Sequence, residues 1–477
     1  MVFNKKAVLL APIIAVIIGI LSINHTLLLA FLGIIIIISL YIFFWKESRI
    51  KKYLPHIMII VLLQDLIGGF LNDLIPESGV FVSYFDEAII ILFLPVILVK
   101  AFLKKEIKGK LVISTFIIIL TFGGISSFIN QVPILTAFYG AFLMFKGLAF
   151  TLIFMNISYN KYDIERYMKW IKVFAIIVVV FAILDFFFYR QLRPILHTDP
   201  NVDIRNGMVS VKSLFNHPSV YAWFTIFVGT YLLSWYVVNK NRKYLMYGIF
   251  FLAISLLSFR FKSIIAIMII IIFIYFLTAG LKRALAFMLP ASILAATIFL
   301  FMGSYIINMV QLTIQRYINV DMYESARNAF YQVSFMIGKN DFPFGEGFGR
   351  FGGQVARENY SPVYYQYGMD KIYGLWPSNP MFGTDTYWPY ILGETGFIGT
   401  FTLFIFYITV IIKLLKSFNS IDGVTIKSFV LFSSLSMLHA LTESLGEPVF
   451  NSAPQNVFIF ISLGIALSFT SAKQEKN

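Results

Sequence analysis

The chain has 477 residues, of which 59% are hydrophobic and only 13% are charged, and its mean hydropathy is +0.81. Ordinary soluble domains carry about 25% charged residues, so the composition excludes a water-soluble globular protein. The net charge of +14 is explained by Lys and Arg held back in cytoplasmic loops of a membrane protein, and no nucleic-acid partner is expected.

Apolar runs long enough to cross a bilayer recur along the whole chain. A hydrocarbon core about 30 Å thick needs about 20 apolar residues in a helix. The basic segment before the first run has no cleavage site, so that run is expected to be retained as a span. The sequence therefore predicts an all-α fold, a polytopic transmembrane helix bundle forming one domain, residues 1–477. Its fourteen predicted spans are 7–23, 26–45, 56–72, 88–103, 111–128, 135–157, 173–189, 218–238, 244–259, 263–280, 284–305, 386–412, 426–442 and 455–471.

The charges predict an orientation in the cytoplasmic (inner) membrane. With the N-terminus in the cytoplasm, short inner loops collect about 25 of the 38 basic residues, as the positive-inside rule requires. Fourteen spans also return the C-terminus to the cytoplasm. The outer face then carries one long loop, residues 306–385, between spans 11 and 12. It is too long for a simple connector, which indicates a functional or separately folded segment.

Two features of this loop are informative. Residues 322–341 place Ala326, Phe330, Val333 and Ile337 at helical spacing, which predicts an amphipathic helix on the membrane surface. A glycine-rich segment follows at residues 343–353. Its backbone amides could approach an anion, or the segment could be a flexible turn.

Three arginines and one lysine are candidates for function. Arg260 lies between two apolar spans and is therefore expected at the outer boundary, where its planar guanidinium suits phosphate; snorkelling to lipid headgroups explains it equally well. Arg205 and Arg327 are second candidates, each more simply explained as a solvated loop charge. Lys146 falls inside a predicted span, so a structural ion pair is favoured. The acids considered as its partner are Asp65, Asp185, Glu443 and Glu447.

Acids and aromatics are expected beside these cations at the outer face. A carboxylate such as Asp385 can deprotonate a sugar hydroxyl or orient it by hydrogen bonding, and Asp86, Glu87 and Glu394 share this chemistry. In water, Asp385 would keep a pKa near 4 and be a weak base. Tyr387 could stack on a sugar, although aromatic belts are common at membrane interfaces. The sequence has no cysteine and five scattered histidines, so neither a metal site nor a cofactor is expected.

Five motifs occur together in a recognisable order. First, a polar loop ends directly before a span, and an arginine follows at the end of a later span. A second arginine opens the long loop. The glycine-rich segment comes next, and after it a segment with acidic residues leads into the following span. This pattern over roughly residues 205–400 resembles the O-antigen polymerase and O-antigen ligase superfamily. The motifs read NHP, SFRFKS, SARNAFYQ, PFGEGFGRFGG and DTYWPYILGETGFIG.

The resemblance implies an inverting, metal-independent glycosyltransferase of the GT-C type at the outer face of the membrane. Donor and acceptor would be oligosaccharides linked to undecaprenyl pyrophosphate, and a chain-length regulator and a flippase would be partner proteins besides membrane lipid. Arg260 and Arg327 would stabilise the pyrophosphate leaving group, with Asp385 orienting or deprotonating the acceptor. The residues expected to bind substrate are Arg205, Lys262, His217, Arg350, Glu394, Tyr387, Asp86 and Glu87.

One departure from the family favours a polymerase. Ligases of the superfamily carry a His-Asn pair where this chain has Asp385 and Thr386. An aspartate in this place resembles capsule and O-antigen polymerases more than ligases. A ligase acting on another acceptor remains an alternative. A lipid-linked oligosaccharide flippase would predict short loops throughout, and a transporter or channel would make Lys146 central.

Overall fold

The computed structural model describes residues 38–76, 78–198, 202–205, 208–278 and 325–471. Helices dominate these residues, and their named strands are the two-residue pair Ile204–Arg205 and Met208–Val209. The predicted all-α class is therefore confirmed. The predicted spans 7–23 and 284–305, most of 26–45, and both chain termini lie outside the described residues.

The helices of the described part are numbered α1 to α16 in chain order, after a helical segment at residues 38–44. Two 3-10 helices, Leu256–Ser258 and Met369–Lys371, accompany them. The bounds are α1 Glu47–Leu74, α2 Gly79–Ser83, α3 Phe85–Lys104, α4 Lys110–Ile129, α5 Ile134–Met144, α6 Lys146–Met155, α7 Lys161–Ile195, α8 Pro218–Asn239, α9 Arg242–Ser255, α10 Phe261–Thr278, α11 Ala326–Asn340, α12 Gln354–Glu358, α13 Pro362–Gln366, α14 Trp388–Phe418, α15 Val424–Glu443 and α16 Gln455–Ser471.

Seven of the described helices are long and apolar enough to cross a membrane, namely α1, α4, α7, α8, α10, α14 and α15. Helices α5 and α6 meet at a bend of 51° and make an eighth if they count as one span. Helices α9 and α16 lie on predicted spans but have 14 and 17 residues, short of the roughly 20 that a bilayer needs. The chain is thus a multi-pass helical protein by the length and composition of its helices, and the number fourteen stays a prediction.

Short basic segments meet at one end of the bundle, which we call the lysine-rich end. Lys51 Nζ lies 3.1 Å from Asp163 Oδ2 and ties the start of α1 to α7. The backbone N–H of Lys108 donates to Asn156 Oδ1 at 2.8 Å. These contacts bring the segments around residues 46–52, 100–110 and 156–172 together, as one shared membrane face requires.

Other connections of the described part meet at the opposite end, which we call the loop end. His197 Nδ1 lies 2.6 Å from Asp73 Oδ2 and joins the ends of α7 and α1. Trp388 Nε1 donates to Ser444 Oγ at 2.9 Å and joins the start of α14 to the end of α15. The grouping of segments into two faces, inferred from charge, therefore agrees with the contacts of the described helices.

Helix α11 confirms the amphipathic pattern of the long loop. Its apolar face is buried, and Phe330 packs edge-on against Phe351 and Tyr364 at ring separations of 5.3 and 6.0 Å. The expectation of a helix whose apolar face rests on lipid is therefore corrected, because α12, α13 and the glycine-rich segment cover that face. The described part of the loop has its own hydrophobic core. The helix residues predicted to form the face, all buried, are Ala326, Phe330, Val333 and Ile337.

The glycine-rich segment, residues 343–353, is packed between α4 and α14. Asn130 Nδ2 donates to the Gly345 carbonyl at 2.9 Å, and the Glu346 N–H donates to the Gly393 carbonyl at 2.7 Å. A Cβ on Gly345 would lie 2.5 Å from that carbonyl oxygen, so only glycine permits the approach. The segment is a fixed wedge rather than a flexible turn.

Candidate functional site

His217 lies at the loop end, where it caps the start of helix α8. Its Nδ1 accepts a hydrogen bond from the Ser219 N–H at 3.2 Å, which satisfies a donor at the helix start. Desolvation, and then the charge of Arg260, lower the pKa of His217 to about 4. The imidazole is therefore neutral at neutral pH and can keep accepting from the helix.

The turn between α9 and α10 positions the two cations of SFRFKS. Phe259 adopts a left-handed conformation with φ of 50° and reverses the chain after the 3-10 helix. Arg260 Nη2 then lies 2.6 Å from Asp203 Oδ2, and Lys262 Nζ forms an ion pair with Glu447. Arg260, predicted to be catalytic, and Lys262, predicted to bind substrate, are thus both held by carboxylates from distant parts of the chain.

A buried ion pair organises the loop that carries Asp203. Asp185 is fully buried in α7, and Arg193 Nε donates to its Oδ1 at 2.8 Å. The backbone N–H groups of Lys212 and Ser213 donate to Asp185 Oδ2 at 2.8 and 3.2 Å. The Arg205 backbone joins the two-stranded pair, and its side chain lies outside the described residues.

A cavity of about 190 Å³ opens between this loop and the Arg260 turn. Its lining is predominantly basic, and Ser210 Oγ and Asn216 Oδ1 are buried there without a hydrogen-bond partner. Buried polar groups left unpaired cost about 1–3 kcal/mol each, so these atoms favour a polar occupant. The charged and polar side chains of the lining are Arg193, Asp203, Ser210, Lys212, Asn216, His217 and Arg260.

Asp385 is half-buried just before α14, next to several charges. Desolvation raises its pKa, the charges of Arg327 and Arg357 lower it, and Glu447 raises it. The low pKa expected for an acid in water is therefore corrected. Since Lys262 also pairs with Glu447, Asp385 and the Arg260 turn belong to one arrangement. We call it the basic cluster and define it as Arg260, Lys262, Arg327, Asp203, Glu447 and Asp385.

Arg327 brings unsatisfied donors to the basic cluster. It is half-buried in the first turn of α11, and its Nε and the neighbouring Asn328 Nδ2 are buried without a hydrogen-bond partner. Tyr331, one turn later, donates to the Leu445 carbonyl at 2.7 Å and fixes the helix next to Glu447. An acceptor-rich group such as phosphate would satisfy both donors.

Lys146 forms the intramembrane ion pair that its position predicted, with different partners. Its Nζ lies 2.6 Å from Asp86 Oδ2 and 2.8 Å from Glu87 Oε1, and all three side chains are almost fully buried. Two of the four acids considered as partners are paired elsewhere, and a third lies beside a histidine. Asp185 pairs with Arg193, Glu447 with Lys262, and Glu443 lies 3.3 Å from His439.

Three other predicted site residues have different surroundings. Glu394 is fully buried, and its Oε1 accepts from the Phe351 N–H at 3.3 Å, with the Gly349 and Arg350 amides also directed at the carboxylate. The group approached by the backbone amides of the glycine-rich segment is therefore the carboxyl of Glu394 itself. Tyr387 is buried, and its hydroxyl bonds to that of Tyr407, so its ring faces protein. Burial raises the pKa of Glu346, and the charge of Arg350 lowers it, so Arg350 lies near this carboxyl.

Among the residues that the structure describes, no group of three or more His, Asp and Glu side chains is arranged to hold a metal ion. No protein-family model matches the chain, and no curated protein matches it at a significant level.

Proposed function

We propose that this protein is a polysaccharide polymerase that joins oligosaccharide repeat units carried on undecaprenyl pyrophosphate. The observation that carries the proposal is the basic cluster. Arg260, Lys262, Arg327 and Asp385 come from three separate stretches of the chain and meet beside buried unpaired donors. The residues that the family resemblance nominated as catalytic are thus neighbours.

The cluster supplies the groups that an inverting glycosyl transfer needs at the acceptor hydroxyl and at the pyrophosphate leaving group. The acceptor hydroxyl attacks the anomeric carbon of the donor sugar while the bond from that carbon to the pyrophosphate oxygen breaks. Fixed cations stabilise the negative charge on the leaving group, and a lysine ammonium has three donors, so Lys262 can hold Glu447 and a phosphate oxygen together. Asp385 takes the hydroxyl proton, and its raised pKa makes it a stronger base than an acid in water.

The positive-inside rule supports placing this chemistry outside the cytoplasm. Basic segments collect at the lysine-rich end, which that rule assigns to the cytoplasm, and the basic cluster is at the loop end. In this arrangement the protein works at the outer face of the cytoplasmic membrane, supplied by a flippase and paired with a chain-length regulator.

Reconstitution tests the activity. Purified protein in liposomes with the host's lipid-linked oligosaccharide should give a ladder of products on a gel. Arg327→Ala should reduce ladder formation by about 10²–10³ and leave single repeat units, whereas Lys339→Ala, an exposed change on the same helix, should leave the ladder intact. A ladder of unchanged length from Arg327→Ala contradicts the site. Transfer of one unit to another acceptor identifies a ligase, and units retained in the inner leaflet of cells identify a flippase.

Labelling tests the orientation directly, because the natural chain has no cysteine. A single cysteine at exposed Lys371 in the loop should react with a membrane-impermeant maleimide on intact cells. A cysteine at Lys104, 68% exposed at the lysine-rich end, should react only after permeabilisation. The reverse pattern contradicts the proposed function.

A further inference from the structure

A second cavity, of about 500 Å³, lies at the loop end and penetrates the helix bundle. We call it the acid-lined pocket and define it by Gln64, Asp86, Glu87, Tyr139, Lys146 and Thr386. Its lining combines Gln64 of α1, Asp86 and Glu87 of the first turn of α3, and Lys146 at the start of α6.

Three buried polar atoms of the lining have no hydrogen-bond partner. They are Gln64 Oε1, Glu87 Oε2 and Thr386 Oγ1. Their residues are 7%, 8% and 2% exposed, so bulk water does not solvate them freely. Two of the atoms are acceptors and the third is a hydroxyl, and leaving such groups unpaired is costly. The lining therefore favours a ligand rich in hydroxyl or amine donors.

The charge of the pocket disfavours an anion. Asp86 and Glu87 share Lys146, burial raises the pKa of Glu87 to about 7, and Glu358 adds a further acid at the lining, so the pocket carries no excess of positive charge. A phosphate placed here would meet like charges in a partly desolvated site, which is unfavourable. Tyr84, Tyr139 and Tyr390 complete the lining with rings, and aromatic faces suit the apolar C–H faces of a sugar ring.

We infer that the acid-lined pocket binds a neutral, hydroxyl-rich part of the substrate, namely sugar residues of the acceptor, while the basic cluster binds the diphosphate. This inference rests on the proposed function and adds to it a separate sugar subsite. Thr384 and Thr386 line the pocket, and Asp385 between them interacts with Arg327 and Glu447. An acceptor sugar in the pocket would therefore present its hydroxyl beside Asp385.

Two probes separate the subsites, measured by equilibrium dialysis against purified full-length protein in detergent. One is the free oligosaccharide released from the host's lipid carrier, without phosphate, and the other is undecaprenyl pyrophosphate without sugar. Gln64→Leu and Thr386→Val, on different segments, should each weaken oligosaccharide binding at least tenfold and leave undecaprenyl pyrophosphate binding unchanged. Arg327→Ala should do the reverse.

Ser436→Ala is the matched control, because it removes a buried, unpartnered hydroxyl of α15 that is not part of the pocket lining. It should bind both probes like the natural protein. If the natural protein binds undecaprenyl pyrophosphate but not the oligosaccharide, or if neither pocket variant weakens oligosaccharide binding, the sugar subsite is wrong and the proposed function stands. If the natural protein binds neither probe, the proposed function fails.

Discussion

The two charged sites at the loop end both hold a lysine against acids, yet they differ in their access to water. In the acid-lined pocket the side chains of Lys146 and Asp86 are 8% and 2% exposed. In the basic cluster those of Arg260 and Asp203 are 14% and 35% exposed. Breaking a buried pair leaves an uncompensated charge, whereas a partly solvated pair exchanges partners at little cost. Access to water therefore distinguishes a charge that holds the fold from a charge that can meet a ligand.

The largest effect is expected from the acid between the two sites. Asp385→Asn removes the proposed base, and loss of general base catalysis costs about 10²–10⁴ in rate. The initial rate of ladder formation by reconstituted protein measures it. Asp370→Asn, which changes another acid of the same loop, should keep the full rate. A variant Asp385→Asn with nearly full activity would reduce the role of this residue to orienting the acceptor.

Thermal unfolding in detergent tests the contrast in stability. Lys146→Met leaves two buried carboxylates without a cation and should lower the free energy of unfolding by about 3–5 kcal/mol. Asp203→Asn, in the more open pair, should lower it by about 1 kcal/mol or less. Adding Asp86→Asn and Glu87→Gln to Lys146→Met should recover much of the loss, because no unpaired charge then remains. Equal losses from Lys146→Met and Asp203→Asn would break the distinction between the two sites.

The pH dependence of the rate tests the electrostatics of the basic cluster. Asp385 must be deprotonated to act as a base, so activity should fall as the pH drops through its raised pKa. Arg357→Met removes a charge that lowers this pKa and should move the acidic limb to higher pH. Glu447→Gln removes a charge that raises it and should move the limb to lower pH. Shifts in the same direction for both variants would contradict the arrangement.

The smallest effect concerns the cap of α8. His217→Ala should cost about 0.5–2 kcal/mol of stability, and His217→Asn much less, because asparagine also caps helices. The folded pKa of about 4 lies below the usual 6.5, so the stability present above pH 6.5 should decline as the pH falls from about 6.5 to about 4. His217→Asn should remove this part of the pH dependence, measured by thermal unfolding. If His217→Asn leaves the dependence of stability on pH unchanged, other groups cause that dependence.

Much of the fold was predictable because its signals are local. Apolar runs marked the helices, and the periodicity of residues 322–341 marked the buried face of α11. The grouping of Arg260, Arg327 and Asp385 required only the assignment of their segments to one membrane face, together with the family resemblance. The span count was less predictable, because α9 is shorter than its apolar run, α16 has only 17 residues and the run containing Lys146 bends by 51°.

The partners of charged residues were not predictable, because pairing depends on long-range packing. Lys146 meets acids 59 and 60 positions away in the chain, and nothing in the local sequence prefers Asp86 to Asp65. The role of Glu394 was hidden for a similar reason, since its ligands are backbone amides of a segment more than 40 positions earlier. Gln64 gave one usable signal that was missed, an amide side chain inside an apolar span.

Residues 384–386 connect the acid-lined pocket to the basic cluster. Thr384 and Thr386 line the pocket, whereas Asp385 between them is subject to the charges of Arg327 and Glu447. Inserting or deleting a single residue here would change which side chain borders the pocket and which one meets the basic cluster. The register of this short segment, more than the identity of any sugar contact, would then set where a new glycosidic bond forms. The acid-lined pocket could therefore be remodelled for different sugars without moving the bond-forming centre.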